Sequence, residues 1–182
     1  MVYAVFLTGR PGIGKTTIIM KVVEELKKRG FKVGGMISKE IREKGKRVGF
    51  KIIDVKQKRE GILAHINQKS GPRVSKYRVN LEDLETIGVK AIEDALLSDD
   101  VIIIDEIGKM ELFSKKFINV VERVLSSNKV VLGTVHARSS HRLAKYIRSG
   151  RIPGIKVYEV SERNKDQLPS IILKEVLEVL KE

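Results

Sequence analysis

Tyr3-Ala4-Val5-Phe6-Leu7-Thr8-Gly9-Arg10-Pro11-Gly12-Ile13-Gly14-Lys15-Thr16-Thr17 changes its hydrophobic period once, and that change decides the fold. Tyr3 to Thr8 is a near-continuous apolar run, as in a strand buried on both faces of a parallel sheet. From Lys15 to Arg29 the residues Ile18, Ile19, Val22, Val23 and Leu26 recur at helical spacing, and Gly30 is a natural stop. Between strand and helix lies the spacing G-x-x-x-x-G-K-T, in the context a phosphate-binding loop requires. Gly9, Gly12 and Gly14 let the backbone curl so that successive N–H groups point at phosphate oxygens. The helix N-terminus adds the positive end of its dipole. Lys15 is placed to reach β- and γ-phosphates, and the Thr16 hydroxyl to ligate Mg²⁺.

Val101-Ile102-Ile103-Ile104-Asp105-Glu106 supplies the second half of such a site. Four apolar residues put Asp105 at the carboxyl end of a central strand, where it can hold Mg²⁺ directly or through water. Open α/β sheets bind their ligands at that edge. Glu106, a second carboxylate beside the first, is suited to orienting or deprotonating an attacking water. Lys109 can touch the γ-phosphate or the charge that develops on it; the alternative is a surface lysine. Thr134 and His136 end the next strand and are expected to contact the nucleophilic water or γ-phosphate; the alternative for Thr134 is a core-edge threonine.

Outward from these motifs, strands alternate with helices. Strands are expected at Lys32 to Ser38, Val130 to His136 and Ile155 to Val160. Ile41 to Val55 alternates around Glu43-Lys44-Gly45-Lys46 and predicts a β-hairpin. Residues 56–80 give no clear period, with Gly71-Pro72 as a break and Tyr77 to Leu81 as strand or loop. Leu81 to Leu97 is an amphipathic helix, Ser114 caps another, Ser139 or Ser140 caps a short basic helix, and residues 168–181 form the last. The pattern predicts one α/β domain over residues 1–182, a sandwich with a mostly parallel central sheet and an inserted hairpin.

Of the 182 residues 42% are hydrophobic and 32% charged, which fits a folded globular chain. No apolar run is long enough for a membrane span or signal peptide, so a cytoplasmic protein without a membrane partner is expected. Cysteine is absent, which excludes disulfides and thiolate chemistry. The net charge of +13 admits a nucleic-acid partner. The basic residues are spread along the chain and seldom alternate with aromatics, so a lysine-rich solvated surface is favoured. Lys, Arg and Glu richness also resembles hyperthermophile composition.

Gly9-Arg10-Pro11-Gly12-Ile13-Gly14-Lys15-Thr16-Thr17 and Ile104-Asp105-Glu106-Ile107-Gly108-Lys109-Met110-Glu111 resemble the paired motifs of the thermophilic nucleoside-triphosphatase family. Gly35 to Glu40 with Arg42, Gly45 to Phe50, and Lys76 to Val79 extend the resemblance over nearly the whole chain. It implies a RecA-like fold and Mg²⁺-dependent hydrolysis of ATP, GTP, CTP, UTP and TTP to diphosphate and phosphate. By position it implies a nucleotide site formed by Gly9, Arg10, Pro11, Gly12, Ile13, Gly14, Lys15, Thr16 and Thr17 with Ile103, Ile104, Asp105, Glu106, Ile107, Gly108, Lys109 and Met110. Asn164-Lys165-Asp166 is one residue too short for a guanine-reading motif, and no adenine reader stands out.

Two other functions fit parts of the sequence. A small-molecule kinase shares the glycine loop, and residues 138–151 would serve as its lid. A nucleic-acid-stimulated ATPase switch would use the charge. Arg42, Arg47, Arg138, Arg142, Arg148 and Arg151 are the candidates for an arginine finger, though surface arginine is the commoner role of each.

Overall fold

The computed structural model describes residues 1–181. Strand β1 (Tyr3–Thr8) enters the glycine loop and helix α1 (Lys15–Lys28) leaves it. Strands β2 (Val33–Glu43) and β3 (Lys46–Asp54) form a hairpin, followed by β4 (Glu60–His65), β5 (Arg73–Val74) and β6 (Tyr77–Val79). Helix α2 (Leu81–Asp83) passes through a wider π-helical stretch, Leu84–Val89, into α3 (Lys90–Ser98). Strand β7 (Val101–Ile107), a 3₁₀ turn (Glu111–Phe113), α4 (Lys115–Leu125), β8 (Val130–Val135), α5 (Arg142–Arg148), β9 (Ile155–Glu159) and α6 (Leu168–Leu180) follow.

Among the described residues these strands form one sheet, in the order β5-β6-β4-β3-β2-β7-β8-β1-β9. The run β2-β7-β8-β1-β9 is parallel. The remaining pairs are antiparallel. The apolar runs of the parallel strands have two faces to bury. Val5, Leu7, Val101, Ile103 and Leu132 pack in one core with α1 and α6. Ala4, Phe6, Ile102, Ile104 and Val131 pack in the other, with the α3, α4 and α5 side chains. The expected three-layer α/β sandwich is therefore present.

The hairpin turns at Lys44 (φ 50°) and Gly45 (φ 79°), the doubly positive geometry that suits the twist of two paired strands. Its first strand is not separate. The second half of β2 continues directly from the parallel core into the hairpin. Residues 56–80 add three more strands, one at Tyr77–Val79 where strand or loop was expected, so the insertion is a four-stranded antiparallel extension of the main sheet. The Ser114 hydroxyl accepts the Phe117 N–H at 3.1 Å and caps α4 as expected. Helix α5 differs: its cap is His141, whose Nδ1 accepts the Leu143 N–H at 3.1 Å, rather than Ser139 or Ser140. An imidazole nitrogen can play the part of a capping oxygen, and a search for Ser or Thr passes over it. No helix of the described residues is long and apolar enough to cross a membrane.

Candidate nucleotide site

The glycine loop holds Gly9, Gly12 and Gly14 at φ 147°, 81° and 110°, a backbone that side chains with a Cβ rarely adopt. Lys15 Nζ donates to the carbonyls of Gly9 at 2.7 Å and Arg10 at 3.2 Å, so its ammonium lies inside the loop's curl. Strand β8 lies between β1 and β7 in the sheet and brings a third strand end to the same edge.

Asp105 is the centre of this edge. Its carboxylate is buried and accepts two hydroxyls, Thr16 Oγ1 at 2.6 Å on Oδ2 and Thr134 Oγ1 at 2.6 Å on Oδ1. Burial pushes its pKa up, while Thr134, Thr16 and Lys15 pull it back. Glu106 follows across a cis peptide bond. Burial, reinforced by the Asp105 charge and opposed by Lys15, raises Glu106 to about 7. Glu111, from the 3₁₀ turn, ends the second motif and was given no role from sequence. It is buried, and burial and then the nearby Glu106 push its pKa well above the usual carboxylate range. A Cβ on Gly108 would lie 2.6 Å from Glu106 Oε1 and 3.1 Å from Glu111 Oε1, so both carboxylates converge over that glycine. Thr16 and Asp105 offer the hard oxygens that Mg²⁺ prefers and leave room for phosphate oxygens and water.

These groups line a cavity of about 1050 Å³. Gly9, Arg10, Pro11, Gly12, Gly14, Lys15, Thr16 and Thr17 form one wall, and Asp105, Glu106, Lys109, Met110, Glu111 and His136 the floor and side. The far wall comes from the hairpin and the strands beyond it; of its residues Ser38, Glu40, Arg47, Phe50, Leu63 and Val74, only Arg47 was a candidate from sequence. Ile13, Ile103, Ile104 and Ile107 do not reach the cavity with their side chains, which are buried in the two cores. The pleat turns the strand residues to alternate faces, so only their backbone can meet a ligand. Gly108 is buried beside Glu106 and Glu111.

Thr134 is fully buried and absent from the cavity wall. Its hydroxyl donates to Asp105 Oδ1, and its place is that of the core-edge threonine given as the alternative. His136 does line the cavity, with Nδ1 accepting the Arg138 N–H at 3.0 Å. Partial burial, then the charges of Lys109, Lys15, Arg148 and Arg138, lower its pKa and favour the neutral ring.

The arginines separate by their partners. Arg148 donates to the carbonyls of His136 and Ser139, each at 2.7 Å, and so holds the loop after β8. Arg142 pairs with Glu122 on the surface at 3.4 Å, and Arg42 with Glu40 at 2.8 Å. Arg47 lines the cavity but is fixed by the Tyr77 hydroxyl at 2.9 Å and by Glu40 at 3.2 Å, over the Phe50 ring. Arg151 is exposed and away from the cavity. Arg138 lines the cavity. The stretch 138–151 is no detached lid, because Leu143, Ala144 and Ile147 anchor it in the core. Asn164 is committed to its own loop, accepting the Ser161 N–H and donating to the Glu159 carbonyl, each at 2.8 Å.

The NTPase family profile matches residues 4–173 of this chain. The nucleoside-triphosphatase THEP1 of Thermofilum pendens is 48% identical over 176 residues, covering 93% of each chain. That of Methanosarcina acetivorans is 46% identical over 175 residues, covering 96% of this chain and 97% of its own. The crystal structure of THEP1 from the hyperthermophile Aquifex aeolicus superposes with a TM-score of 0.82 at 34% identity, over 97% of this chain and 99% of that one. The solution structure of a human cancer-related nucleoside triphosphatase gives 0.79 at 36%, over 96% and 97%. A profile match over nearly the whole chain and relatives near half identity lead to one conclusion: the chain belongs to the THEP1 nucleoside-triphosphatase family.

Proposed function

We propose that this protein hydrolyses nucleoside 5′-triphosphates to diphosphate and phosphate in the cavity between the glycine loop and β7. The observation that carries the reading is the convergence of Lys15, Thr16, Asp105 and Glu106 on one pocket. In this reading the loop amides and Lys15 bind the phosphates. Thr16 and Asp105 would hold Mg²⁺, which supplies charge neutralisation at the phosphate oxygens. Glu106 orients a water and takes its proton as the water oxygen bonds to the γ-phosphorus and the bond to the β-phosphate oxygen breaks. A carboxylate near pKa 7 is matched to that task at neutral pH. Lys109 and the loop amides stabilise the charge that develops on the γ-phosphate. Broad base tolerance, over ATP, GTP, CTP, UTP and TTP, follows from chemistry directed at phosphates and from an Asn164 that serves its own loop.

The test is phosphate release from ATP with Mg²⁺, beside the Glu106→Gln variant. Steady release is expected, reduced about 10²- to 10⁴-fold in the variant with nucleotide binding retained, and abolished in both by chelating the metal. Equal release from wild type and variant would remove Glu106 from this role.

A further inference from the structure

Three basic residues far apart in sequence, Arg73, Lys109 and Arg138, line one hollow. Residues 61–81 contain Lys69, Arg73, Lys76 and Arg78 and no Asp or Glu. Residues 123–158 contain eight Lys and Arg and no Asp or Glu. Parts of both stretches meet at a second hollow of about 480 Å³, between the β5–β6 turn, the 3₁₀ turn and the loop entering α5. Arg73, Lys109 and Arg138 line it, and no carboxylate does. None of the three forms an ion pair with a described residue. Phe113, 49% exposed, and Leu112 give the hollow an apolar face. Val74, Lys109 and Arg138 line both this hollow and the larger cavity, so the two spaces adjoin.

Three unpaired cations on one concave surface repel one another, and an anion seated among them relieves that repulsion. A phosphate dianion matches several convergent donors better than a single carboxylate does. An exposed aromatic ring beside them is a surface on which a flat ring can stack or an apolar group can rest. The volume lies in the range of small-ligand sites. We infer that this hollow is a second-ligand subsite for a small phosphate ester with a flat, apolar body, bound beside the triphosphate. Co-residence with a nucleotide rests on the reading of the larger cavity given above; the subsite's own binding does not.

The experiment is a calorimetric titration of phenyl phosphate into the full chain at low ionic strength. It is run without nucleotide and with Mg²⁺ and the β,γ-imido analogue of ATP at saturation. Saturable binding is expected in both states, weakened about ten-fold or more by Arg73→Ala, as loss of a charged hydrogen bond predicts. Phe113→Ala should weaken it several-fold. Both side chains are exposed, and both variants should release phosphate from ATP at the wild-type rate. Absence of saturable binding at millimolar phenyl phosphate overturns the proposal, as does equal affinity in Arg73→Ala. Tight binding of a short oligothymidylate, sensitive to Arg73 and Phe113 where phenyl phosphate fails to bind, also overturns it in favour of a nucleic-acid track. Phenyl phosphate binding that depends on Arg73 and survives Lys15→Ala sustains the subsite even if no phosphate release is seen.

Discussion

Val101–Ile107 and Glu60–His65 lie in one sheet, separated by β3 and β2, yet they are built differently. In the first, the residues from Val101 to Asp105 are all buried. In the second only Leu63 and Ala64 are. The parallel half has helices on both faces. In the antiparallel half, Ile52 and Leu63 pack with residues of the Leu81–Ser98 helix, while Phe50, Leu63 and Val74 line the larger cavity. Its separate core is only Ala64, Tyr77 and Val79. The difference suggests a division of labour. A doubly covered sheet fixes Lys15, Thr16, Asp105 and Thr134 to within a hydrogen bond. The singly covered extension shapes the space around them.

The sharpest way to break that comparison is with glycine. Gly35, where β2 pairs with β7, has φ 114°, and a Cβ there would lie 2.1 Å from the Ile103 carbonyl oxygen. Gly35→Ala should cost upward of about 4 kcal/mol in denaturant unfolding, or prevent folding. Gly45→Ala, in the hairpin turn with open space around it, should cost only about 1–2 kcal/mol from backbone strain. Similar losses would mean that the two halves are equally constrained. Thr134→Val tests the parallel half's precision. It removes a donor from a buried carboxylate, so turnover should fall about ten-fold or more at unchanged KM, with Thr134→Ser restoring it. Unchanged turnover would show that Asp105 needs no such support.

Arg47→Ala asks whether the extension does chemistry. Turnover should be essentially unchanged, since the guanidinium is held by Tyr77 and Glu40; an arginine finger would cost about 10³ or more. The smallest effect belongs to the outer edge of the parallel half. Glu175 accepts Tyr158 at 2.6 Å, Lys156 at 3.0 Å and Tyr3 at 3.1 Å. Burial, then the hydrogen bond and charge of Glu175, push Tyr3 up to about 12. A raised pKa means stability present below the usual tyrosine value of 10 and lost as pH rises from there toward 12. Thermal unfolding should show that decline, and tyrosinate absorbance in Glu175→Gln should show Tyr3 titrating nearer 10. An unmoved titration would mean that burial alone sets it.

The same contrast explains what could be read from sequence. The strands of the parallel half announce themselves as apolar runs, and the glycine loop and Asp105-Glu106 carry their chemistry in adjacent residues. Glu60–His65 mixes charge, glycine and apolar residues because one end is exposed, so no period emerges. The far wall of the cavity is invisible for a different reason. Glu40, Arg47, Phe50 and Val74 become neighbours of Lys15 only through the sheet order. Thr134 was legible at the strand end as phosphate contact or core-edge residue, but its bond to Asp105 was not, because the direction of one hydroxyl depends on the opposing carboxylate. The basic residues read as a diffuse surface until the fold gathered some of them at one hollow.

Arg148 grips the loop after β8 by two main-chain carbonyls, those of His136 and Ser139. Every amino acid has such a carbonyl, so the grip is indifferent to what the loop's own side chains are. Mutation can therefore rewrite the residues that line the two cavities while the loop keeps its path. The cost of that freedom falls on one position: a chain that changes Arg148 loses the template on which its neighbours vary. Across relatives, the loop should be the place where this architecture explores new ligands, and the arginine behind it the place where it does not.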